Sequence, residues 1–468
     1  FTNQIQSVEE DIQENSELSF DQTRVTLEVY TFLWHWLVEV AEKRWKGMQR
    51  ELERVATSTG KTKAQSAKAK AARKEEDWNW KSQKTRALVV VKRLLLLDLN
   101  RIVTAAAERD AIINMITKSV SLMLEDPDAV KADDTKQEMI HVLSLCVHKY
   151  ERGLGHGVQT RVSREYLREE NLVDFVVDLM LVLVRDYEDT RLVENVLRES
   201  ADRIFTDKEP KVAKAFSKFL ARLSDVLPKD FLKQMVLLQV HLDSESYSLR
   251  CGMLEAIGNL IHNLLVIDRS ESARTSLEAY FEILQERFKD VNAFVRTRLL
   301  AILTRLAERR ADIAITDIPI QFLPKLVSLT VGRLHDKSMT VRRQAMKLLT
   351  CFLQSTPYTA LPQDFGKLSL KQFRGRKEDI DRLIKAKFPE EDIFGGETPA
   401  TEDGDTPIED ARAPAAAEAE LKEFRGLLRY YSDAIRFVEQ VESAIPTLCE
   451  LLASKTKLEA VEAMKFFV

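Results

Sequence analysis

The residues best equipped for chemistry are histidines, carboxylates and glycine-rich turns, and none of them forms a catalytic pattern. The chain has no HExxH or other metal-ligand spacing, no GxSxG nucleophile turn and no P-loop. Gly153, Gly155 and Gly157 superficially resemble a phosphate loop, but they follow a predicted helix, whereas a phosphate loop follows a strand. We interpret them as a flexible connection between helices. The sequence therefore predicts a protein that is not an enzyme and that uses no metal and no cofactor.

Histidines and cysteines both favour structural roles. The seven histidines are His35, His141, His148, His156, His241, His262 and His335. Of these, His141 and His148 are one heptad apart, and we interpret them as packed or surface side chains rather than ligands. The four cysteines, Cys146, Cys251, Cys351 and Cys449, form no CxxC pair and stand in apolar helical stretches. A reduced cysteine behaves there as a small hydrophobic residue, which points to the cytosol or nucleus.

The composition favours long helices joined by short loops. The 468 residues are 45% hydrophobic and 31% charged, with only 14 Gly and 12 Pro, fewer turn residues than a sheet protein needs. Charges interrupt the most apolar stretches, 88–97 and 172–184, before about 18 apolar residues accumulate, so we expect no membrane span. The chain shows no signal peptide. It begins without Met and ends on the apolar run MKFFV, and we expect a fragment of a longer protein.

An internal repeat determines the predicted fold. Three segments align, residues 241–261, 288–306 and 334–353, and each carries one arginine at the same place. These turn arginines, Arg250, Arg296 and Arg342, follow one another at intervals of 46 residues. HEAT and armadillo units repeat every ~40–47 residues. The sequence therefore predicts an all-α, superhelical solenoid of HEAT repeats, a fold that binds macromolecules along its length.

Each repeat also carries an aspartate ahead of its turn arginine. Asp290 and Asp336 stand six positions before it, and Asp243 stands seven before it. At the turn between two helices, such a carboxylate can accept hydrogen bonds from the free N–H groups that start the second helix. We expect the arginine to pair with the aspartate of an adjoining repeat. These residues are therefore predicted to be scaffold rather than a DNA site.

Apolar residues at helical spacing predict the inward faces of the second helices. The predicted inward residues are Leu299, Leu300, Leu303 and Leu306 in the second copy, Ala345, Leu348, Leu349 and Phe352 in the third, and Val212, Phe216, Phe219 and Leu220 in a weaker unit at 210–227. A further repeat is predicted at 435–468, with two helices joined at SKT.

Composition shifts divide the chain into six predicted regions. They are N-terminal helices at 1–56, a basic flexible insertion at 57–77, helical pairs of the solenoid at 78–227, regular HEAT repeats at 228–356, an acidic disordered insertion at 388–420 and a further repeat at 421–468. Residues 390–420 hold eleven acids and one base, so the mildly basic remainder is compatible with nucleic-acid contact.

The clearest electrostatic feature is a basic run in the first insertion, with small residues between its charges. Its six bases are Lys61, Lys63, Lys68, Lys70, Arg73 and Lys74. Such a segment can follow a phosphate backbone without reading its sequence. A solvated loop or a nuclear-localisation-like stretch is the alternative. Arg298, Arg305, Arg309 and Arg310 occupy more exposed helical phases than the turn arginines and are further candidates for DNA contact.

Two tryptophans and two threonines complete the candidate binding residues. Trp78 and Trp80 follow the basic run, and they either staple the end of that loop to the solenoid or contact a partner. Thr398 and Thr406, each followed by proline, are minimal proline-directed phosphorylation sites in the acidic insertion. Phosphate there would deepen the negative charge of a tether that could compete for basic surfaces.

The amino-acid sequence of the repeats resembles that of one family. SYSLRCGMLEAIGNLI, DVNAFVRTRLLAILTRL and VGRLHDKSMTVRRQAMKLLTCFL are similar to the HEAT repeats of condensin complex subunit 1, the D-type HEAT subunit of condensin. Residues 77–102 resemble that family's N-terminal region, and residues 451–468 resemble its next block. The resemblance covers most of the chain in the expected order, although 103–200 and both insertions are less distinctive. It implies the N-terminal part of such a subunit.

The resemblance implies a role rather than an activity. Members bind the kleisin subunit, lie near the heads of the SMC ATPase subunits and help to hold double-stranded DNA during mitotic chromosome condensation. It also implies a nuclear and chromosomal location, with a cytoplasmic phase in part of the cell cycle. Two alternatives stay open, namely a HEAT-type nuclear transport receptor of the importin kind and a phosphatase scaffold.

Overall fold

The computed structural model describes most of the chain in eleven stretches. They are residues 2–3, 5–6, 20–57, 80–150, 157–205, 209–268, 270–308, 316–355, 358, 370–387 and 412–467. Every regular element in them is a helix, and the described stretches contain no strand. The chain divides into two compact units, residues 1–260 (unit 1) and 261–468 (unit 2). The predicted all-α class is therefore confirmed.

Unit 1 is built from two layers of helices. Its helices are α1 (Phe20–Thr57), α2 (Trp80–Leu96), α3 (Leu99–Ile102), α4 (Ala106–Leu124), α5 (Pro127–Lys131), α6 (Asp133–Leu145), α7 (Val158–Arg164), α8 (Val173–Tyr187), α9 (Arg191–Ala201), α10 (Pro210–Val226), α11 (Pro228–Leu238) and α12 (Tyr247–Leu260). In one layer, α2, α6, α8, α10 and α12 pack each against the next. In the other layer, α1 packs on α4, and α9 packs on both α7 and α11. Successive helix pairs stacked in this way form one continuous apolar core.

The α10–α12 contact shows how closely the helices of one layer approach. On α10, Val212, Phe216 and Phe219 lie at helical spacing and are buried. Gly252 of α12 lies against the backbone of Ser217, so that a Cβ at position 252 would be 2.5 Å from Ser217 Oγ and 2.7 Å from its Cα. Only glycine fits this approach without displacing a helix.

Unit 2 repeats the two-layer arrangement. It begins with a π-helical turn (Ile261–Leu265) and continues with α13 (Glu271–Glu286), α14 (Ala293–Ala307), α15 (Leu323–Gly332), α16 (Met339–Gln354), α17 (Leu370–Lys387), α18 (Arg412–Leu452) and α19 (Lys457–Phe467). The helices α14, α16 and α19 pack in sequence in one layer, while α18 packs on both α15 and α17 in the other. The two helices predicted near the C-terminal end of the sequence are present as α18 and α19, which join at residues 453–456. Their assignment as a further HEAT repeat stays a prediction.

The predicted inward faces are confirmed, and two other expectations are corrected. All twelve predicted inward residues of α10, α14 and α16 are buried. Cys449, however, is exposed, so it is not a core residue like Cys146; all four thiols are free. The predicted acidic disordered insertion ends too late, because α18 begins at Arg412, where an alanine-rich stretch favours helix. Residues 388–411, and residues 58–77 of the basic insertion, lie outside the described residues.

Candidate functional site

The turn arginines hold the turn that precedes their own helix in the same way in all three repeats. In each case Nη1 donates to the two carbonyl oxygens six and five residues earlier. Arg250 reaches Ser244 at 2.7 Å and Glu245 at 3.1 Å. Arg296 reaches Asp290 at 2.6 Å and Val291 at 3.0 Å. Arg342 reaches Asp336 at 2.7 Å and Lys337 at 3.3 Å. The 46-residue spacing therefore reproduces one geometry three times.

The other side of the guanidinium links neighbouring repeats in unit 2. Arg296 donates from Nε and Nη2 to the two carboxylate oxygens of Asp336, both at 2.8 Å. Arg342 donates from Nε to Glu459 of α19 at 2.6 Å. The predicted pairing with an adjoining aspartate is thus confirmed for Arg296. For Arg342 the acid is a glutamate, which arrives from the repeat beyond α17.

The two acids of these bridges stay ionised although they are buried. The side chains of Asp336 and Glu459 are each 2% exposed. Burial alone would raise the pKa of Asp336, but the hydrogen bonds from Arg296 and the Ser338 N–H, with the charges of Arg296 and Arg333, hold it below its usual value. For Glu459, burial is likewise outweighed by hydrogen bonds from Arg342 and Ser454, and the pKa is lowered. These arginines serve the stack, as the sequence predicts.

Among the candidate DNA contacts, two lie in the described part of the chain. Arg298 is exposed and Arg305 is half-buried, so Arg305 is less accessible than its helical phase predicts. Both belong to α14 and are seven residues apart, which places them two turns apart on one side of that helix. The remaining candidates, Arg309, Arg310 and the six bases of the basic run (Lys61, Lys63, Lys68, Lys70, Arg73, Lys74), lie outside the described residues, as do Thr398 and Thr406. These assignments stay predictions.

Trp80 attaches the start of α2 to α1. It is 3% exposed, and its Nε1 donates to Glu42 Oε1 of α1 at 2.9 Å. An indole buried to this extent offers no face to another protein, so Trp80 does not fit the partner-contact interpretation. Trp34 is also buried, and its Nε1 donates to the carbonyl oxygen of Ala87 at 3.1 Å. Trp78 lies outside the described residues.

A buried ionic cluster beside Trp80 was not predicted from the sequence. Lys84 Nζ lies 2.9 Å from Glu42 Oε1 and 2.6 Å from Asp126 Oδ2, and all three side chains are at most 3% exposed. Asp126 also caps α5 by accepting from the Asp128 N–H. The second carboxylate oxygen of Glu42 has no hydrogen bond. Lys84 occupies the inward stripe of α2 with Trp80 and Leu88, a position that signals a buried lysine.

The histidine pair does not form a site. His141 donates from Nδ1 to the carbonyl oxygen of Gln137 in its own helix, at 2.7 Å. The ring of His148 packs against Tyr187 at a tilt of 39°, with ring centroids 4.9 Å apart, and its Nδ1 lies 3.4 Å from Asp189. Asp189 is held more tightly by Arg191, at 2.6 Å. No group of three metal-ligating side chains occurs in the stretches that the structure describes, and none of their helices is long and apolar enough to cross a membrane.

These features define a class, a HEAT-type helical-repeat protein whose turns are tied together by arginine–carboxylate bridges. Residues 1–156 match the family model "non-SMC mitotic condensation complex subunit 1, N-term". Condensin complex subunit 1 of Saccharomyces cerevisiae is 26% identical over 414 residues, which cover 83% of this chain and 34% of the yeast protein. The human protein of the same name is 27% identical over 61% of this chain and 20% of its own length.

A plant relative and two solved structures extend the comparison. The condensin-1 complex subunit CAP-D2 of Arabidopsis thaliana is 24% identical over 83% of this chain and 29% of its own length. Among solved structures, the chain is similar to Kap121p bound to RanGTP, with 15% identity over 99% of this chain and 46% of that chain and a TM-score of 0.30. It is also similar to a designed armadillo repeat protein, with 14% identity over 58% of this chain and 96% of that chain and a TM-score of 0.25. The resemblance to the N-terminal part of condensin complex subunit 1 is confirmed; the chain spans about a third of the length of the yeast relatives it matches.

Proposed function

We propose that this chain is a non-catalytic scaffold and regulatory part of a condensin complex. In this role it binds the kleisin subunit, lies near the SMC ATPase heads and contributes sequence-independent contact to double-stranded DNA during mitotic chromosome condensation. The observation that carries the proposal is the match to condensin complex subunit 1 along 83% of the chain. A nuclear and chromosomal location, with a cytoplasmic phase, belongs to the same proposal.

The stack of helix pairs supports a scaffold role on physical grounds. The buried bridges from Arg296 to Asp336 and from Arg342 to Glu459 fix each repeat of unit 2 against the next. A surface built from repeats held in this way keeps its shape when a partner binds, which lowers the entropic cost of association.

Partner capture from mitotic extract tests the proposal against its alternatives. The tagged chain should retain a kleisin and SMC proteins, and this retention should not require added nucleotide. Recovery of a small GTPase instead would favour a transport receptor, and recovery of a phosphatase catalytic subunit would favour an enzyme scaffold. Either of these results without kleisin would overturn the proposal.

The proposed DNA contact has its own test on the basic run. Replacing its six bases by glutamine should weaken binding to duplex DNA and flatten the dependence of log K on log [salt] by about 0.9 for each phosphate that the chain no longer neutralises. The matched control is a variant with residues 61–74 shuffled, which keeps all six bases. The shuffled chain should bind as the original does, because a sequence-independent contact depends on charge and not on order. An unchanged salt slope in the glutamine variant would exclude the basic run from the DNA site.

A further inference from the structure

One face of α1 exposes a continuous apolar stripe. Seven large side chains on this face are between 44% and 57% exposed, namely Val25, Val29, Phe32, Leu33, Trp36, Leu37 and Val40. Their spacing of three, four and one residues keeps them on one side of the helix. We call this set the α1 stripe.

The stripe is not a misoriented core face, because the opposite side of α1 is already buried. Leu27, Trp34, Val38 and Ala41 are at most 5% exposed and belong to the side of the helix that packs on unit 1. The ring of His35 also forms a hydrogen bond of 2.7 Å with Ser119 of α4. These contacts fix the rotation of α1 about its axis, so the stripe cannot turn inward without losing them.

The extent of the stripe is that of a helix-binding surface. From Val25 to Val40 it spans sixteen residues, or about 22 Å along the helix axis. Single exposed apolar residues are common on soluble proteins, whereas a contiguous patch of this kind marks an interaction site. Phe32 and Trp36 stand at its centre, and large aromatic side chains there are the usual anchors of a protein interface.

The charges beyond the stripe indicate the polarity of the partner. The same face of α1 continues with the basic residues Lys43, Arg44 and Arg50, and the side chain of Lys43 is 73% exposed. Glu39 lies beside them and accepts from Lys43 at 2.8 Å. Among residues 39–50 of α1, whose side chains the structure describes, these three bases and this one acid lie on the face. A partner that covers the stripe therefore gains from acidic groups opposite its C-terminal end.

We propose that the α1 stripe is the docking site for an amphipathic helix of another protein, one with an apolar face of about four turns and acidic residues beyond one end. Helix-in-groove and helix-on-helix recognition uses apolar anchors at intervals of three and four residues, which the stripe supplies. The acidic end of the partner lies against Lys43, Arg44 and Arg50. This proposal goes beyond the condensin role and does not depend on it.

A synthetic peptide supplies a defined probe. The first peptide is a helix of about 20 residues with leucines at intervals of three and four and a block of glutamates at one end. It is made in two versions, one with the glutamates at the N-terminus and one with the sequence reversed, so that they stand at the C-terminus. The second peptide carries lysines in place of the glutamates. The full chain should bind the acidic peptide, in one of the two directions, with a Kd on the order of 10 µM by fluorescence anisotropy, and the lysine peptide about tenfold more weakly.

Two sets of variants locate the site. Phe32→Ser with Trp36→Ser should weaken binding of the acidic peptide by at least about tenfold. The matched control is Val236→Ser with Val240→Ser, which removes exposed apolar side chains elsewhere in unit 1 and should leave binding unchanged. Circular dichroism should show the same helix content for all chains, because none of the four residues is buried.

A charge reversal tests the acidic preference. In this variant the three bases become acidic, as Lys43→Glu, Arg44→Glu and Arg50→Glu. The altered chain should prefer the lysine peptide. The control carries three reversals at exposed lysines elsewhere in unit 1, namely Lys131→Glu, Lys211→Glu and Lys229→Glu, and it should keep the original preference.

Four results would overturn the proposal. The acidic peptide could fail to bind in either direction, or both peptides could bind equally well. The chain could associate with itself, with a concentration-dependent mass in light scattering that Phe32→Ser with Trp36→Ser abolishes, which would make a second copy the occupant. Finally, another segment of the same chain could cover the stripe. The fluorescence of Trp36 is obtained as the difference between the original chain and Trp36→Phe. If the stripe is covered, acrylamide would quench this fluorescence no better than it quenches that of a buried indole. Kleisin capture from extract is read separately, so failure here leaves the condensin proposal intact.

Discussion

The bridge between Arg296 and Asp336 allows a prediction that can be worked out in detail. The carboxylate of Asp336 accepts from Arg296 twice at 2.8 Å, from Arg333 at 3.1 Å and from the N–H of Ser338 at 2.9 Å. Asp336→Asn keeps the shape and one acceptor but removes the charge and turns an amide N–H₂ toward guanidinium donors. Removing one partner of a buried ion pair costs about 3–5 kcal/mol. Because Arg333 is partly exposed and Asn keeps one hydrogen bond, we expect about 2–4 kcal/mol.

Hydrogen exchange is the appropriate assay, because a stack of repeats opens locally and global unfolding is not strictly two-state. A loss of 2–4 kcal/mol makes the slowest amides of α14 and α16 exchange roughly 30- to 700-fold faster. The matched control is Asp379→Asn in α17, whose pair with Arg382 is 65–74% exposed. Exposed pairs contribute ~0–1 kcal/mol, so the control should change exchange little.

The effect should also depend on pH with a definite sign. The folded-state pKa of Asp336 is lowered, so its contribution is fully present above the unfolded value of about 3.9 and is lost as pH falls through the folded value. Asn does not titrate. The difference between the original chain and Asp336→Asn should therefore be largest near neutral pH and shrink below about pH 4. A difference that matches that of Asp379→Asn, or that stays constant with pH, would refute the reasoning.

Three further outcomes are expected. Gly252→Ala should lower the melting temperature, because the added methyl group overpacks α10 against α12 at a cost of about 1–3 kcal/mol. The control is Gly375→Ala, whose added methyl group has no atom within 4 Å; it should leave the melting temperature unchanged or raise it slightly. Lys84→Met should lower the free energy of unfolding by at least about 3 kcal/mol in chemical denaturation, because it leaves two buried carboxylates without their cation. A loss of about 1 kcal/mol or less, as for an exposed ion pair, would count against that cause. Maleimide should label Cys449 within the native state and Cys146 only on unfolding, and equal labelling rates would contradict their assigned exposure.

The parts of the fold that the sequence predicts are those encoded locally. The spacing of the turn arginines and the apolar positions of α14 and α16 are patterns in the sequence, so they could be recognised without knowing which helices pack together. The partner of Arg342 could not be predicted in this way, because Glu459 comes from beyond α17 and replaces the expected aspartate. The buried cluster was missed because Lys84 and Glu42 are residue types usually found in solvent.

The α1 stripe was missed for a different reason. Apolar residues stand on both sides of α1, and a sequence pattern does not distinguish a side that faces unit 1 from a side that awaits a partner. Trp34 and Trp36 are two residues apart, yet one is 5% exposed and the other 55%. Only the packing of α1 on α4 separates them. Surface function on helical repeats is therefore harder to predict than the repeats themselves.

The two bridges of unit 2 can form only at different times during synthesis on the ribosome. Arg296 needs a residue only 40 positions later, whereas Arg342 needs one 117 positions later. At about 5–20 residues per second, the first acid is translated after about 2–8 s and the second only after about 6–23 s. For that interval the guanidinium of Arg342 and the apolar side of α16 that α19 later covers stay open to chaperones or to wrong partners. Slow translation of residues 356–456 would lengthen this exposure.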